Sequence, residues 1–429
     1  MTMINMINNE KAPRKLGLYI HIPFCRTKCL YCDFCSFVSR DASEREAYIS
    51  ALLSEIRLRG TKEYIVDTIY FGGGTPSLLT SDQIGEILGA VRENFVVCED
   101  VEITLECNPS TVERTVEGAC PYGDGGKSIG RTVEDACPYG EGGESIGRTD
   151  EVSPSRADGY FSQLRRIGVN RLSIGIQSAI DGELKLIGRR HNFEDAKATF
   201  YLARESGFDN ISIDLMFGIP SQTLDSLRAS LDEFTKLGAE HISIYSLQLE
   251  EGTPLYRMRD KYDLADDDSV ADMYELVVSS MRQAGYSHYE ISNFARYGRE
   301  SRHNSKYWRL DEYLGLGLAS HSDFAGKRRE NTRDMDKYLR GEYIETCQEI
   351  SPSEREFEFI MLGLRTSAGI SKTEFFTRFG IDFNQKYGEK VKNLEKLGYF
   401  LQNDEFLILN ERGFEVNNSI LAQILYFDY

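Results

Sequence analysis

Between residues 17 and 250 six short apolar runs, LGLYIHI, VDTIYF, VEITLE, NRLSIGI, NISIDLMF and HISIYSL, alternate with amphipathic stretches. Near-continuous apolar runs of this kind are the pattern of parallel strands buried on both faces. Tyr48, Ile49, Leu52, Leu53 and Ile56 share one helical stripe after the first run, and Val270, Met273, Tyr274, Val277 and Met281 share another after the sixth. Repeated strand-then-helix units predict an α/β fold, a partial (β/α)6 TIM-like barrel over residues 17–300, with working residues at the carboxyl ends of its strands.

About 65 residues separate the third and fourth runs, far more than a helical crossover needs. The excess is a tandem repeat: RTVEGACPYGDGGKSIG at 114–130 is followed by RTVEDACPYGEGGESIG at 131–147, and a third copy begins at Arg148. Its glycines and charges, without apolar periodicity, predict an exposed insertion over 114–155. Cys120 and Cys137 are poor evidence for a second metal site, since no His accompanies them.

The chain of 429 residues has room for a large core and a smaller appended domain. Asp and Glu outnumber Lys and Arg by 68 to 50, giving a formal charge of −18, which argues against a nucleic-acid partner. No apolar stretch is long enough for an integral membrane segment, and residues 1–16, expected to be flexible, have no signal-peptide pattern. Nine cysteines, an odd number without a signal peptide, fit reduced thiols in a cytoplasmic setting.

Cys25, Cys29 and Cys32 stand in HIPFCRTKCLYCDF, directly after the first run. Three thiolates on one short loop can hold three irons of a cubane cluster and leave the fourth iron open. A structural zinc site wants a fourth ligand, and no second knuckle follows. After the second run, YFGGGTPS presents Gly72, Gly73, Gly74 and Thr75, where missing side chains and exposed amides suit a small polar ligand. Its glycine spacing matches neither phosphate-loop nor dinucleotide patterns. Glu106, Gln177 and Asp214 are polar groups in or just past apolar strands, and Arg189 follows in LIGRRH. Several such groups on one barrel rim point to a ligand with amine, carboxylate and hydroxyl groups.

After residue 350 the pattern changes to three helical segments and a hairpin turning at Asn403 and Asp404, a winged-helix-like α+β domain over 350–429. Residues 301–349 read as a connecting segment.

YIHIPFCxxxCxYCDF, FGGGTPS, EITLECNPST, NRLSIGIQS, IGRRH, ISIDLMFGIP, YEISNFAR, SRHNxxYW and LGLR together resemble the radical S-adenosylmethionine (SAM) superfamily. Within it they resemble the anaerobic coproporphyrinogen III oxidase and heme chaperone group, over nearly the whole chain outside the repeat. The resemblance implies that Cys25, Cys29 and Cys32 hold a [4Fe-4S] cluster whose open iron chelates SAM. It places Tyr19, Tyr31, Gly73, Gly74, Thr75, Glu106, Gln177, Arg189 and Asp214 at SAM-contacting positions. It also implies an electron donor such as a flavodoxin or ferredoxin. Enzymes that decarboxylate coproporphyrinogen III have a further cysteine two residues after the third cluster cysteine, where this chain has Phe34. The HNxxYW motif instead resembles the HemW-like heme chaperone subfamily. That implies heme as cargo, an acceptor protein, and His303, Tyr307 and Trp308 as candidate heme contacts, His303 as axial ligand.

Overall fold

The structure, a computed structural model, describes residues 14–38, 41–111, 156–401 and 403–426. The repeat, with Cys120 and Cys137, lies outside the described residues. All six apolar runs are strands: β1 (Arg14–Ile22), β2 (Tyr64–Gly73), β3 (Val96–Cys107), β4 (Arg171–Gln177), β5 (Ile211–Phe217) and β6 (His241–Ser246). They pair in parallel in that order. Helices α1 (Ala42–Arg59), α2 (Ser81–Asn94), α3 (Arg156–Ile167), α4 (Asp181–Leu186), α5 (Phe193–Glu205), α6 (Leu224–Leu237) and α7 (Asp267–Gln283) follow successive strands. The barrel expected from the alternation is present as an open, partly closed sheet.

Strand parity explains both the core and the cavity, because residues two apart on a strand share a face. On β4, Leu172, Ile174 and Ile176 are fully buried, while Arg171, Ser173, Gly175 and Gln177 alternate with them and line a central cavity. On β1, Leu16, Leu18, Ile20 and Ile22 join the same apolar cluster as Tyr48, Leu52 and Ile56 of α1. The runs are therefore buried on both faces as expected, but the concave face is polar. Helix ends are set locally: Thr80 and Gln83 close a capping box at α2, and Gly238, at φ 68°, stops α6.

The segment 301–349, expected only to connect, is built into the main sheet. After β7 (Ser287–Glu290) and β8 (Asn293–Ala295), helix α8 (Arg302–Arg309) leads into β9 (Tyr313–Leu316), which pairs in parallel with β1 on its other edge. Antiparallel β10 (His321–Phe324), β11 (Lys327–Asn331) and β12 (Ile344–Glu349) complete a sheet of twelve strands among the described residues, in the order β12-β11-β10-β9-β1-β2-β3-β4-β5-β6-β8-β7. The sequence hides this because these strands are short and charged; every residue of β12 is exposed.

The C-terminal unit has the expected winged-helix-like content. It comprises α9 (Pro352–Gly363), β13 (Ile370–Ser371), α10 (Lys372–Phe379), α11 (Phe383–Lys396), β14 (Phe400–Leu401), β15 (Phe406–Leu409) and α12 (Asn417–Leu425). Asn403 Oδ1 accepts from the amides of Glu405 and Phe406 and so makes the hairpin turn. The unit docks through main chain: Ile291 N donates to Arg365 O at 3.1 Å and Ser367 N to Tyr289 O at 3.0 Å.

Candidate functional site

The cysteine loop is tied down at several points before any ligand is considered. Phe24 and Cys25 pair with Phe37 and Val38, closing the loop at its neck. Leu30 N donates to Ile187 O at 3.1 Å, and Leu255 N donates to Leu30 O at 2.9 Å. From β1, His21 Nε2 donates to Cys35 O at 2.8 Å, which leaves Nδ1 to accept from Tyr19 OH at 3.0 Å. Burial holds His21 neutral, its pKa lowered to about 4 although the Cys35 carbonyl pulls the other way.

The glycine run has a different purpose from the one its amides suggested. Gly73 N is already donated to Glu106 Oε2 at 3.1 Å, and Gly74 N to Ile22 O at 2.8 Å. A Cβ on Gly73, at φ 110°, would stand 2.4 Å from the His21 ring, and one on Gly74 would stand 2.7 Å from Phe24 O. The absent side chains thus let the end of β2 press against the base of the cysteine loop. Thr75 Oγ1 then reaches Cys25 Sγ at 3.5 Å.

Cys25, Cys29 and Cys32 border one cavity of about 590 Å³ together with Tyr31, Gly73, Gly74, Thr75, Glu106, Gln177, Arg189 and Asp214. Tyr19 is the exception among the candidate SAM contacts. Its ring packs on Tyr70 at 6.2 Å and borders a neighbouring cavity of about 360 Å³ behind the loop. Arg189 Nη1 donates to Cys29 Sγ at 3.4 Å, and its other arm donates to Gly175 O. Burial alone would lower the Arg189 pKa, but Tyr31 and Cys29 hold it raised. Glu106 accepts from Tyr70 OH at 2.9 Å as well as from Gly73, and burial lifts its pKa to about 7. Asp214 accepts from Ser173 Oγ at 3.2 Å, and burial lifts it to about 6 against the pull of Ser173 and Arg171. Gln177 takes a left-handed φ of 80° and accepts from Tyr245 OH at 2.7 Å.

Among the described residues no three Cys, His, Asp or Glu groups are drawn around a point that one metal ion would fill. A cubane cluster makes a different demand, since it spreads three thiolates over three irons. The loop meets that demand with three thiols on one cavity wall and with donors from Thr75 and Arg189 already aimed at two of the sulfurs. Hydrogen bonds to cluster sulfurs are a main lever on such centres.

The HNxxYW motif lies at the other end of the strands. Helix α8 closes the barrel floor: Glu102 accepts from the amides of Arg302 and His303 at 3.2 and 3.0 Å, and Lys306 Nζ pairs with Asp67 at 2.7 Å. His303 is 1 % exposed, with Nδ1 bonded to Thr68 Oγ1 and Nε2 to Tyr307 OH, both at 2.9 Å. Burial, then Lys306 and Arg171, push its pKa down to about 3. With both nitrogens engaged, His303 would have to give up its bond to Thr68 or to Tyr307 to make an axial bond to iron. Tyr307 is spent on the same network, while Trp308 Nε1 is buried without a partner. The motif residue that borders the main cavity is Asn304.

Sequence reasoning passed over Arg171, Tyr70, His21 and Tyr245. The signal was available in NRLSIGIQ, where Arg171, Ser173 and Gln177 share a parity that only Gln177 was credited with.

Comparison with known proteins bears on the family and the fold. The radical SAM superfamily matches residues 19–138 and 122–234, and the HemN C-terminal domain matches residues 350–416. A protein of Bacillus subtilis (strain 168) named heme chaperone HemW is 32% identical over 95% of this chain and 98% of its own. One of the same name from Escherichia coli (strain K12) is 31% identical over 96% and 98%. The solved structure of coproporphyrinogen III oxidase (HemN) from Escherichia coli, described as a radical SAM enzyme, matches with a TM-score of 0.75. It is 21% identical and covers 97% of this chain and 92% of that one, so it speaks for the fold.

Proposed function

The chain belongs to the radical SAM superfamily and, within it, to the HemW heme chaperone family; from that premise we propose that it binds heme and hands it to an acceptor protein, using a SAM-loaded cluster site. The observation that carries this reading is the likeness to HemW proteins along the full length of both chains, at 32% identity for the Bacillus subtilis protein. Phe34 supports it, because a side chain 68% exposed at the mouth of both cavities takes the place where decarboxylating relatives are expected to have a cysteine.

Cys25, Cys29 and Cys32 would hold a [4Fe-4S] cluster, which when bound offers one iron to the amino and carboxylate groups of SAM and can pass it an electron from an external reductant. The chain's own contribution is placement and charge. Arg189 sets a fixed cation against the Cys29 sulfur. Glu106 and Asp214 are carboxyls poised between charged and neutral forms, and they become better anions when a cationic ligand enters. Tyr245 holds Gln177 in its strained backbone position, and His21 fixes the height of the loop through Cys35. Tyr31 and the walls of β2 to β6 exclude water around these groups, which strengthens every charge interaction among them.

Anaerobic titration with heme tests the cargo directly. A saturable shift of the Soret band at about one equivalent supports the reading, and its absence removes heme as cargo. Incubation with coproporphyrinogen III, SAM and a reductant tests the rival: appearance of protoporphyrinogen would replace the chaperone by a decarboxylating enzyme.

A further inference from the structure

Arg171 opens β4 and is 1% exposed, yet it borders the central cavity. Its Nε has no hydrogen-bond partner, and it forms no ion pair among the described residues. Asp214 feels it only through space, its own hydrogen bonds going to Ser173 and Ser243. A buried guanidinium without a counter-charge is strongly disfavoured unless an anion completes it. Ser173 and Ser243 already donate to Asp214, and Asn293 Nδ2 to Glu290. Asn304 borders the same cavity with a side-chain amide that has no partner among the described residues. Arg171 lies six residues before Gln177 on one strand face, about 20 Å from the rim.

We propose that Arg171, with Asn304 beside the same cavity, forms a carboxylate-binding subsite at the inner end of the cavity, separate from the cysteine end. A guanidinium fork matches a carboxylate in shape and charge. The function proposed above brings one such group to this end of the cavity, a propionate of heme, since the carboxylate of SAM is taken by the cluster at the cysteine end. The inference rests on that reading for its ligand.

The test compares wild-type protein with Arg171→Met and Arg171→Lys, titrating each with heme, with heme dimethyl ester, whose propionates are uncharged, and with SAM. If the subsite holds a propionate, wild-type protein prefers heme to its ester by roughly tenfold or more, the scale of one lost hydrogen bond to a charged group. Arg171→Met then loses that preference, Arg171→Lys keeps part of it, and SAM binding is unchanged. A SAM affinity that falls in Arg171→Met while the heme-to-ester ratio stays unchanged overturns the propionate subsite. Met fills the space without an unpaired charge, so the supporting outcome comes with a melting temperature at or above wild type. Ligand affinities unchanged in Arg171→Met, or a melting temperature that falls in both variants, overturn the subsite and leave a structural arginine. Wild-type protein that binds heme and its ester alike, with SAM binding intact in Arg171→Met, overturns the subsite while the chaperone reading stands. Failure of wild-type protein to bind heme removes the chaperone reading and the propionate subsite with it.

Discussion

Replacing His303 by Ala separates a floor-closing histidine from an iron ligand. The substitution removes two neutral hydrogen bonds, to Thr68 and Tyr307, and the stacked contact with the Tyr70 ring at 5.2 Å. Each bond is worth about 1 kcal/mol and the ring pair about 1 kcal/mol. Thr68 and Tyr307 keep their hydroxyls in a dry place, so about 3 kcal/mol is the expected loss. For a cooperative unit of roughly 300 residues the unfolding entropy is about 0.6 kcal/mol per degree, and the melting temperature should fall by about 5 °C. Differential scanning calorimetry of anaerobic protein reads that fall, and a heme titration at low temperature, where the variant is folded, reads the cargo. The expected pair of results is a lowered melting point with an unaltered Soret spectrum. Loss of the axial-ligand spectrum with no change in melting would refute the reasoning and restore His303 as a ligand.

Three further outcomes follow from the same geometry. Gly73→Ala forces a left-handed backbone on an L-residue and drives a methyl into His21, costing about 2 kcal/mol or more; iron bound per chain should drop, and full iron loading would contradict the packing role of the glycine. Glu106 has a folded pKa raised to about 7, so its favourable contribution is complete below its unfolded value and fades as pH rises through 7. Glu106→Gln should therefore flatten the pH dependence of denaturant unfolding in cluster-free protein by up to about 3 kcal/mol between roughly pH 4 and 8, and a wild-type slope in the variant would count against a buried, titrating carboxyl. Cys29→Ala takes away one thiolate and the sulfur that faces Arg189 Nη1; iron and sulfide content should collapse and SAM retention with it, whereas SAM binding at wild-type affinity would mean that the cluster is not its anchor.

The barrel was legible because parallel strands concentrate apolar residues, and all six runs became β1 to β6. Its polar lining was legible only in part. Glu106, Gln177, Arg189 and Asp214 stood out as polar groups near strand ends, but Arg171, as the first residue of its strand, was not singled out, and only the register puts it inside. The edge strands β10 to β12 escaped because short charged segments such as KRREN, half-buried along most of its length, have no apolar periodicity to read. His303 is ambiguous in the sequence for a physical reason: a lone histidine beside Tyr and Trp has the composition of a heme pocket and equally of a buried hydrogen-bonded plug. Its bonds to Thr68 and Tyr307 became visible only in the structure.

The central claim is that three thiolates and the polar cavity beside them form one site for a cluster with an open corner and SAM. Paramagnetic resonance of anaerobically reduced protein, recorded with and without SAM, tests it most directly. The account predicts a reduced [4Fe-4S] signal whose g-values shift when SAM is added, and whose shift is lost in Asp214→Ala. A signal that ignores SAM, or the absence of any iron-sulfur signal, would contradict it.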